Sequence, residues 1–277
     1  MGAPKVGVGY VIARRNDEAI HSDSKWSMWI ASVFKKKLLS RIKNLPIFDD
    51  SKFSFMDEVK IIEIKKSVFA DNEKDADALR HELRGRGTFL LNLMSAPGSG
   101  KTTTLVKTIN LLKDKIRIAV MEADIDSDVD ALRIKEATGV PSIQLHTGGM
   151  CHLDAEMTRQ GLDNLDLNHL DLVVLENVGN LVCPAEFDTG ASANAMILSV
   201  PEGDDKPLKY PLMFSVCDLV LINKIDVMPY FDFDLERCKQ NIKMRNPKAQ
   251  VIPISAKTGD GIGQFADWLL NQIHILK

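Results

Sequence analysis

The stretch TFLLNLMSAPGSGKTT, residues 88–103, sets a short apolar run directly before a glycine-rich turn. Such a run is typical of a buried strand, and residues of helical period follow the turn. Six further apolar runs repeat the plan: IRIAVME (116–122), SIQLH (142–146), DLVVLEN (171–177), NAMILSV (194–200), DLVLIN (218–223) and QVIPIS (250–255). Apolar strands alternating with helices predict an α/β fold, a doubly wound and mostly parallel sheet of about seven strands flanked by helices.

The turn after the first strand carries groups that bind phosphate. Glycines let backbone N–H groups approach phosphate oxygens, Lys101 neutralises the β and γ phosphates as a catalytic residue, and the Thr102 hydroxyl holds Mg²⁺. Ser95 stands where the generic P-loop pattern has its first glycine, but GSGKT is intact. The pattern predicts a P-loop NTPase whose nucleotide contacts here are Gly98, Ser99, Gly100, Lys101, Thr102 and Thr103.

Two downstream loops indicate guanine as the base. In NKID (223–226), Asp226 can accept hydrogen bonds from two guanine nitrogens, a pair of donors that adenine lacks. Asn223 would brace the loop, and the stem of Lys224 would cover the base. Because SAK (255–257) follows the last strand in the expected order, Ser255 and Ala256 are predicted to complete a GTP/GDP site.

Carboxylates follow two other strands. Asp124 follows the second predicted strand and Glu176 follows the fourth. Together with Thr102 they are predicted to hold Mg²⁺, and Asp124 is a catalytic candidate for orienting water, as are Asp126 and Asp128. The structural alternative is that each strand-end carboxylate is a turn residue or a helix cap.

TGGMCHLD (147–154) places Cys151 beside His152 after the third strand, and Cys183 follows Glu176 in GNLVCP. In a parallel sheet these residues reach the edge that holds the nucleotide. Thiolate and imidazole ligands suit Zn²⁺, Ni²⁺ or copper ions and do not suit Mg²⁺. The alternative is a buried cysteine acting as a small apolar residue. Three ligands are one short of a tetrahedron, and a second copy of the loop across a two-fold axis would supply the rest.

The other segments are described by composition. KWSMWIASVFKKKLLSRIKN, within a leader of residues 1–55, is basic and amphipathic, and fits a helix that docks on protein better than one on a membrane surface. A helical lead-in (56–86) and the P-loop domain (87–277) are predicted to follow. The net charge of −3 gives no general sign of nucleic-acid binding. No apolar run approaches membrane-span length, and four cysteines predict reduced thiols, so the expected compartment is the cytoplasm.

From about Ile61 onward, the phrases NLMSAPGSGKTT, TGGMCHLDAEM, ENVGNLVCP, VPEGDDKPLKYP and NKID resemble, in order, the HypB family of nickel-inserting GTPases of [NiFe]-hydrogenase maturation. The resemblance implies a signal-recognition-particle-like GTPase with slow, Mg²⁺-dependent hydrolysis, which forms a homodimer on GTP. It also implies a metal site of Cys151, His152 and Cys183 at the dimer interface, and nickel delivery to the hydrogenase large subunit with an accessory protein. Two alternatives remain: a maturation GTPase for another nickel or cobalamin enzyme (urease-type), and a non-catalytic metal-binding scaffold.

Overall fold

The computed structural model describes residues 60–63, 72–124 and 129–277. The chain divides into two units, Met1–Asp57 and Glu58–Lys277, and every described residue belongs to the second. The predicted leader, residues 56–59 and 64–71 of the lead-in, and Asp126 and Asp128 lie outside the described residues. No helix in the part of the chain that is described has the length and apolar character to cross a membrane.

Eight strands of the described residues form one sheet, in which every neighbouring pair is parallel. All seven predicted strands are present, with ends within two residues of the prediction, so the doubly wound parallel fold is confirmed. The spatial order is β1-β4-β3-β5-β2-β6-β7-β8. The strands are β1 Lys60–Glu63, β2 Phe89–Ser95, β3 Ile118–Asp124, β4 Ser142–His146, β5 Leu172–Glu176, β6 Ala193–Ser199, β7 Leu219–Asn223 and β8 Gln250–Pro253.

Helices connect the strands and cover both faces of the sheet. They are α1 Asn72–Arg86, α2 Lys101–Leu112, α3 Val129–Thr138, α4 Ala155–Leu162, α5 Cys183–Glu186, α6 Lys206–Lys209, α7 Pro211–Ser215, α8 Leu235–Arg245 and α9 Ile262–Leu276. Short 3₁₀ turns occur at Leu167–His169, Val200–Glu202 and Ile225–Tyr230.

The lead-in differs from its prediction. Within residues 56–86, which were predicted to be helical, α1 is a helix but Lys60–Glu63 form β1, so the prediction is wrong for this strand. Isoleucines favour extended backbone, and β1 pairs its whole length with β4 at the edge of the sheet. Four residues in a charged stretch are too few to show a period.

Alternating strand residues form the core on each face. Leu91 and Leu93 pack with α2 and α9 on one face, whereas Leu90 packs with α1 and α4 on the other. Met94 points to the second face as well, into a cluster with α7 and α8. Strands buried on both faces carry mostly apolar side chains, and most of the polar groups of the predicted site lie where the strands end.

The amino ends of the strands carry a structural anchor. Asp171 lies just before β5, and its side chain accepts hydrogen bonds from the Arg117 backbone N–H (2.9 Å) and guanidinium (2.9 and 3.0 Å) and from Lys277 Nζ (2.7 Å). The Arg117 hydrogen bond holds the pKa of the Asp171 carboxyl well below its usual range. This network ties the beginnings of β3 and β5 to the chain terminus, at the edge opposite the predicted site.

Candidate functional site

The turn between β2 and α2 has the shape of a phosphate loop. Gly98 and Gly100 adopt positive φ (73° and 103°), and α2 begins at Lys101 with no acidic residue in its first turn. The helix therefore directs the positive end of its dipole at the loop. Lys101 Nζ donates to Ser95 Oγ across 3.0 Å. The serine at the generic glycine position thus holds the ammonium group that is predicted to bind phosphate.

Asn223, at the end of β7, joins three loops. Its Nδ2 donates to Ser99 O (2.8 Å), and its Oδ1 accepts from the backbone N–H groups of Lys224 (2.8 Å) and Ala256 (3.0 Å). A Cβ on Gly100 would lie 2.5 Å from Asn223 Nδ2, so only glycine fits at this position. The P-loop, NKID and SAK segments are therefore one hydrogen-bonded unit.

The two guanine-loop candidates contact each other directly. Ser255 Oγ donates to Asp226 Oδ1 across 2.6 Å, which fixes the carboxylate that was predicted to select the base. Lys224 is the one non-glycine residue with positive φ (65°) among those described, and its Nζ donates to Gly98 O across 2.7 Å. Such strain persists where surrounding contacts impose it, and it is common at functional sites.

A cavity of about 530 Å³ lies over the P-loop, and the predicted Mg²⁺ ligands Thr102, Asp124 and Glu176 line it. Thr102 Oγ1 donates to Glu176 Oε1 across 3.1 Å. Ser99 Oγ and Glu176 Oε2 are buried and have no hydrogen-bond partner among the described residues. Orphaned buried oxygens are costly. They therefore fit a site in which phosphate oxygens and a magnesium ion supply the missing partners.

Two carboxylates of this cavity were missed by sequence reasoning. Glu122 lies inside β3 and Asp130 in the first turn of α3, and one oxygen of each lies within 4.8 Å of an oxygen of Glu176. Burial, followed by the Glu176 charge, raises the pKa of Glu122 to about 8. Burial also raises the pKa of Glu176 to about 7, against the Lys101 charge. The available signal was Glu122 itself, a charged residue in an apolar strand.

The three predicted soft-metal ligands form a second cluster. The Cys151 thiol donates to Cys183 Sγ across 2.7 Å, and His152 Nδ1 lies 4.0 Å from Cys151 Sγ. His152 is only 7% exposed, and its ring stacks on Phe187 with centroids 3.7 Å apart. The Cys151 hydrogen bond and burial raise the pKa of the Cys183 thiol. Two sulfurs and a nitrogen within 4.8 Å of one another suit Ni²⁺ or Zn²⁺.

A short segment connects the two clusters. It runs from Glu176 to Cys183, and Gly179 within it packs so closely on Pro97 of the P-loop that an added Cβ would meet three Pro97 atoms at 3.2–3.3 Å. Asn180 Nδ2 then donates to Cys183 Sγ across 3.6 Å, and Asn180 Oδ1 accepts from the backbone N–H of Cys183. The segment thus contacts the phosphate loop at one point and the thiol cluster at another.

The sequence and the fold match a known protein family. The model of the CobW/HypB/UreG nucleotide-binding domain matches residues 89–253. The hydrogenase maturation factor HypB of Azotobacter chroococcum mcd 1 is 45% identical over 217 residues, which cover 78% of this chain and 71% of the relative. This chain belongs to the HypB family. A second HypB relative, the hydrogenase/urease maturation factor of Helicobacter hepaticus, is 41% identical and covers 76% of this chain and 87% of its own.

A solved HypB structure has the same fold. The crystal structure of HypB from Helicobacter pylori in complex with nickel superposes with a TM-score of 0.70, at 38% identity, over 74% of this chain and 96% of that one. The resemblance drawn from the sequence phrases is therefore confirmed, as is the α/β nucleotide-binding fold. The assignment of individual site residues stays a prediction that rests on the geometry above.

Proposed function

We propose that this HypB-family chain is a GTP-hydrolysing metallochaperone that carries nickel for [NiFe]-hydrogenase maturation. In this proposal the chain dimerises when it binds GTP, holds Ni²⁺ or Zn²⁺ at Cys151, His152 and Cys183, and delivers nickel to the hydrogenase large subunit with an accessory protein. The related HypB from Helicobacter pylori crystallised in complex with nickel, which supports nickel as the metal that this chain carries. All four cysteines are free thiols, which supports the cytoplasm as the compartment.

The nucleotide half of the proposal derives from the loop geometry. Asp226, held by Ser255, selects guanine, and Asn223 keeps that loop in register with the P-loop. Lys101 leaves its resting hydrogen bond with Ser95 to neutralise the transferred phosphoryl group. Thr102, Glu176 and Asp124 are the residues that would hold Mg²⁺, which would supply positive charge next to the phosphates. We assign Asp124 to orient water.

The metal-binding part of the proposal depends on a ligand set that one chain does not complete. Three donors leave the fourth tetrahedral position to another group. A second copy of the chain across a two-fold axis would supply further thiolate and imidazole ligands, so that metal affinity and dimerisation depend on each other.

The single observation that carries this function is the segment from Glu176 to Cys183. One end accepts a hydrogen bond from Thr102, its middle packs on Pro97, and its far end bears a metal ligand. A nucleotide that repositions Glu176 would therefore move Cys183 through a short, well-packed path, and GTP state and metal affinity become linked.

The test is a turnover assay with GTP or ATP, each with and without Ni²⁺ and Zn²⁺, combined with sedimentation of the GDP and GTP-analogue states. We expect slow GTP turnover, negligible ATP turnover, and more dimer with the analogue. Asp226→Asn should lose guanine preference, and Asp232→Asn, an exposed carboxylate farther along the same loop, serves as the control. Equal turnover of ATP and GTP would exclude the guanine assignment.

The relative named a hydrogenase/urease maturation factor favours one further candidate, delivery of nickel to urease maturation as well. The discriminating measurement is transfer of ⁶³Ni from the loaded chain to apo-hydrogenase large subunit and to apo-urease. Transfer to the hydrogenase protein alone would exclude the wider role.

The domain boundaries are also part of the proposal. We assign GTP hydrolysis and metal binding to residues 87–277, with 56–86 as a lead-in and 1–55 as a docking leader that makes no membrane contact. Deletion of residues 1–55 should leave GTP turnover and metal stoichiometry unchanged. Loss of either would place part of the site in the leader.

A further inference from the structure

The cavity over the P-loop holds a cluster of three carboxylates, and the proposed nucleotide site uses only one of them, Glu176. Glu122 and Glu176 are direct neighbours across the β3–β5 pair, so their side chains lie side by side on one face of the sheet. Asp130 adds a third carboxylate from the first turn of α3. One oxygen of each lies within 4.8 Å of the others. Like charges directly opposite on neighbouring strands are destabilising unless something between them compensates.

Burial adds an independent observation. Glu122 is 4% exposed and Glu176 is 2% exposed, and the Oε2 atom of each has no hydrogen-bond partner among the described residues. Both side chains line the cavity. Buried carboxylate oxygens without partners are rare because their desolvation costs several kcal/mol. Their presence in this cavity points to a ligand that carries positive charge.

The basic side chains of the cavity compensate these carboxylates only in part, because burial raises the pKa of Glu176 in spite of the charges of Lys101 and Arg133. Lys101 and Arg133 line the same cavity, but Lys101 Nζ is bonded to Ser95, and no ion pair joins either residue to the three carboxylates in the described part of the chain. Thr102 occupies only Oε1 of Glu176. The nucleotide's own magnesium ion is proposed at the Thr102 side of that carboxylate. Glu122 and Asp130 are not among the residues proposed to hold that ion.

We infer that Glu122, Asp130 and Glu176 form a second cation site, which takes a hard divalent ion of the Mg²⁺, Mn²⁺ or Ca²⁺ class before any nucleotide binds. An all-oxygen donor set selects such ions and excludes the thiophilic metals that suit Cys151 and Cys183. Glu176 is shared by the second cation and the nucleotide's ion. A filled second site fixes this carboxylate before GTP arrives.

The test counts Mn²⁺ ions on the full chain by the loss of the free-Mn²⁺ electron paramagnetic resonance signal. Wild-type protein should hold one Mn²⁺ without nucleotide and two with GDP. Glu122→Gln, which keeps the shape and removes the charge, should weaken the nucleotide-free ion at least about tenfold and leave a single ion with GDP. Glu136→Gln makes the same change at an exposed position of α3 and should keep the wild-type counts.

Asp130→Asn is the second variant, because Asp130 is half-buried at a helix terminus and its substitution is tolerated better by the fold. It should lose the nucleotide-free ion as well. Three results would overturn the second site. They are no bound Mn²⁺ in the absence of nucleotide, retention of the nucleotide-free ion in both Glu122→Gln and Asp130→Asn, and a wild-type count that stays at one Mn²⁺ when GDP is added. The first two outcomes leave guanine recognition at Asp226 untouched, so they are distinguishable from failure of the proposed GTPase function.

Discussion

The loops around the nucleotide cavity are joined by hydrogen bonds between backbone and buried side chains, and Asn223 alone makes three of them. The cluster of Cys151, His152 and Cys183 is built otherwise: its two loops meet through a thiol–thiol hydrogen bond and a ring stacked on His152. Backbone-based loops are organised before their ligand arrives, whereas side chains on separate loops depend on the ligand to fix their geometry. The nucleotide half is thus a fixed frame, and the metal half can respond to it.

The largest expected effect lies in the fixed half. Lys101→Ala removes the ammonium that neutralises phosphate charge, and should lower the kcat for GTP by about 10²–10³-fold, as the loss of one positioned charge-stabilising donor does in other enzymes. Lys107→Ala on the exposed side of α2 is the matched control. Steady-state phosphate release measures both. A Lys101→Ala enzyme with wild-type kcat would show that the loop does not neutralise phosphate as proposed.

The second prediction concerns the responsive half. Cys183→Ala removes one of three soft ligands and should weaken Ni²⁺ and Zn²⁺ binding by at least about 100-fold, because even outer groups of a metal site contribute about 10–100-fold. Mant-GDP affinity should stay within a factor of two, since Asn223 holds the nucleotide loops independently. Val182→Ala, at the exposed neighbouring position, is the control. Parallel loss of nucleotide affinity would remove the distinction between the two halves.

The sequence predicted the strands, the P-loop and the three members of the thiol–imidazole cluster, but not the contacts that depend on how the strands and loops are arranged in space. Each core strand has enough apolar residues to be recognised, and a P-loop keeps its ligands within one short turn, so their spacing suffices. Glu122 was not predicted, because it is brought next to Glu176 by the pairing of β3 with β5. The pattern of apolar residues predicts strands but not the order in which they pair. The 2.7 Å contact of Cys151 with Cys183 likewise depends on how two loops fold over one edge. β1 was missed because it is a short edge strand.

The third prediction tests whether stability and function are separable. Asp171→Asn weakens the network at the amino ends of the strands, and should cost about 1–3 kcal/mol in the free energy of unfolding at pH 7, because it takes the charge from several hydrogen bonds to Arg117 and Lys277. GTP turnover and metal affinity of the folded protein should not change, because the site lies at the other end of the strands. Asp267→Asn, exposed on α9, is the control.

The pH dependence of that effect has a definite sign. The folded-state pKa of Asp171 is lowered, so its contribution is complete above the unfolded pKa of about 3.9 and is lost progressively as pH falls from that value through the folded-state pKa. Urea unfolding at pH 7 and pH 3 should therefore show a large difference between wild type and Asp171→Asn at the higher pH and a smaller one at the lower. A difference that grows on acidification would contradict the assigned role of the carboxylate.

The smallest expected effect sharpens the comparison within the metal half. Phe187 is not one of the proposed metal ligands. Its ring is stacked on the His152 imidazole with an angle of 7° between the two ring planes, and it limits the rotation of the imidazole. Phe187→Leu removes the flat surface and should weaken metal binding by up to about tenfold, which is the lower range for groups that orient a ligand. Phe187→Tyr keeps the ring and should retain affinity close to wild type. Competition titration against a chromophoric chelator resolves a change of this size. In the proposed GTP-analogue dimer, further contacts hold His152, so Phe187→Leu should weaken metal binding less in that dimer than in the GDP-bound monomer. Equal losses of metal affinity in both states would mean that the bound nucleotide does not affect the position of the imidazole.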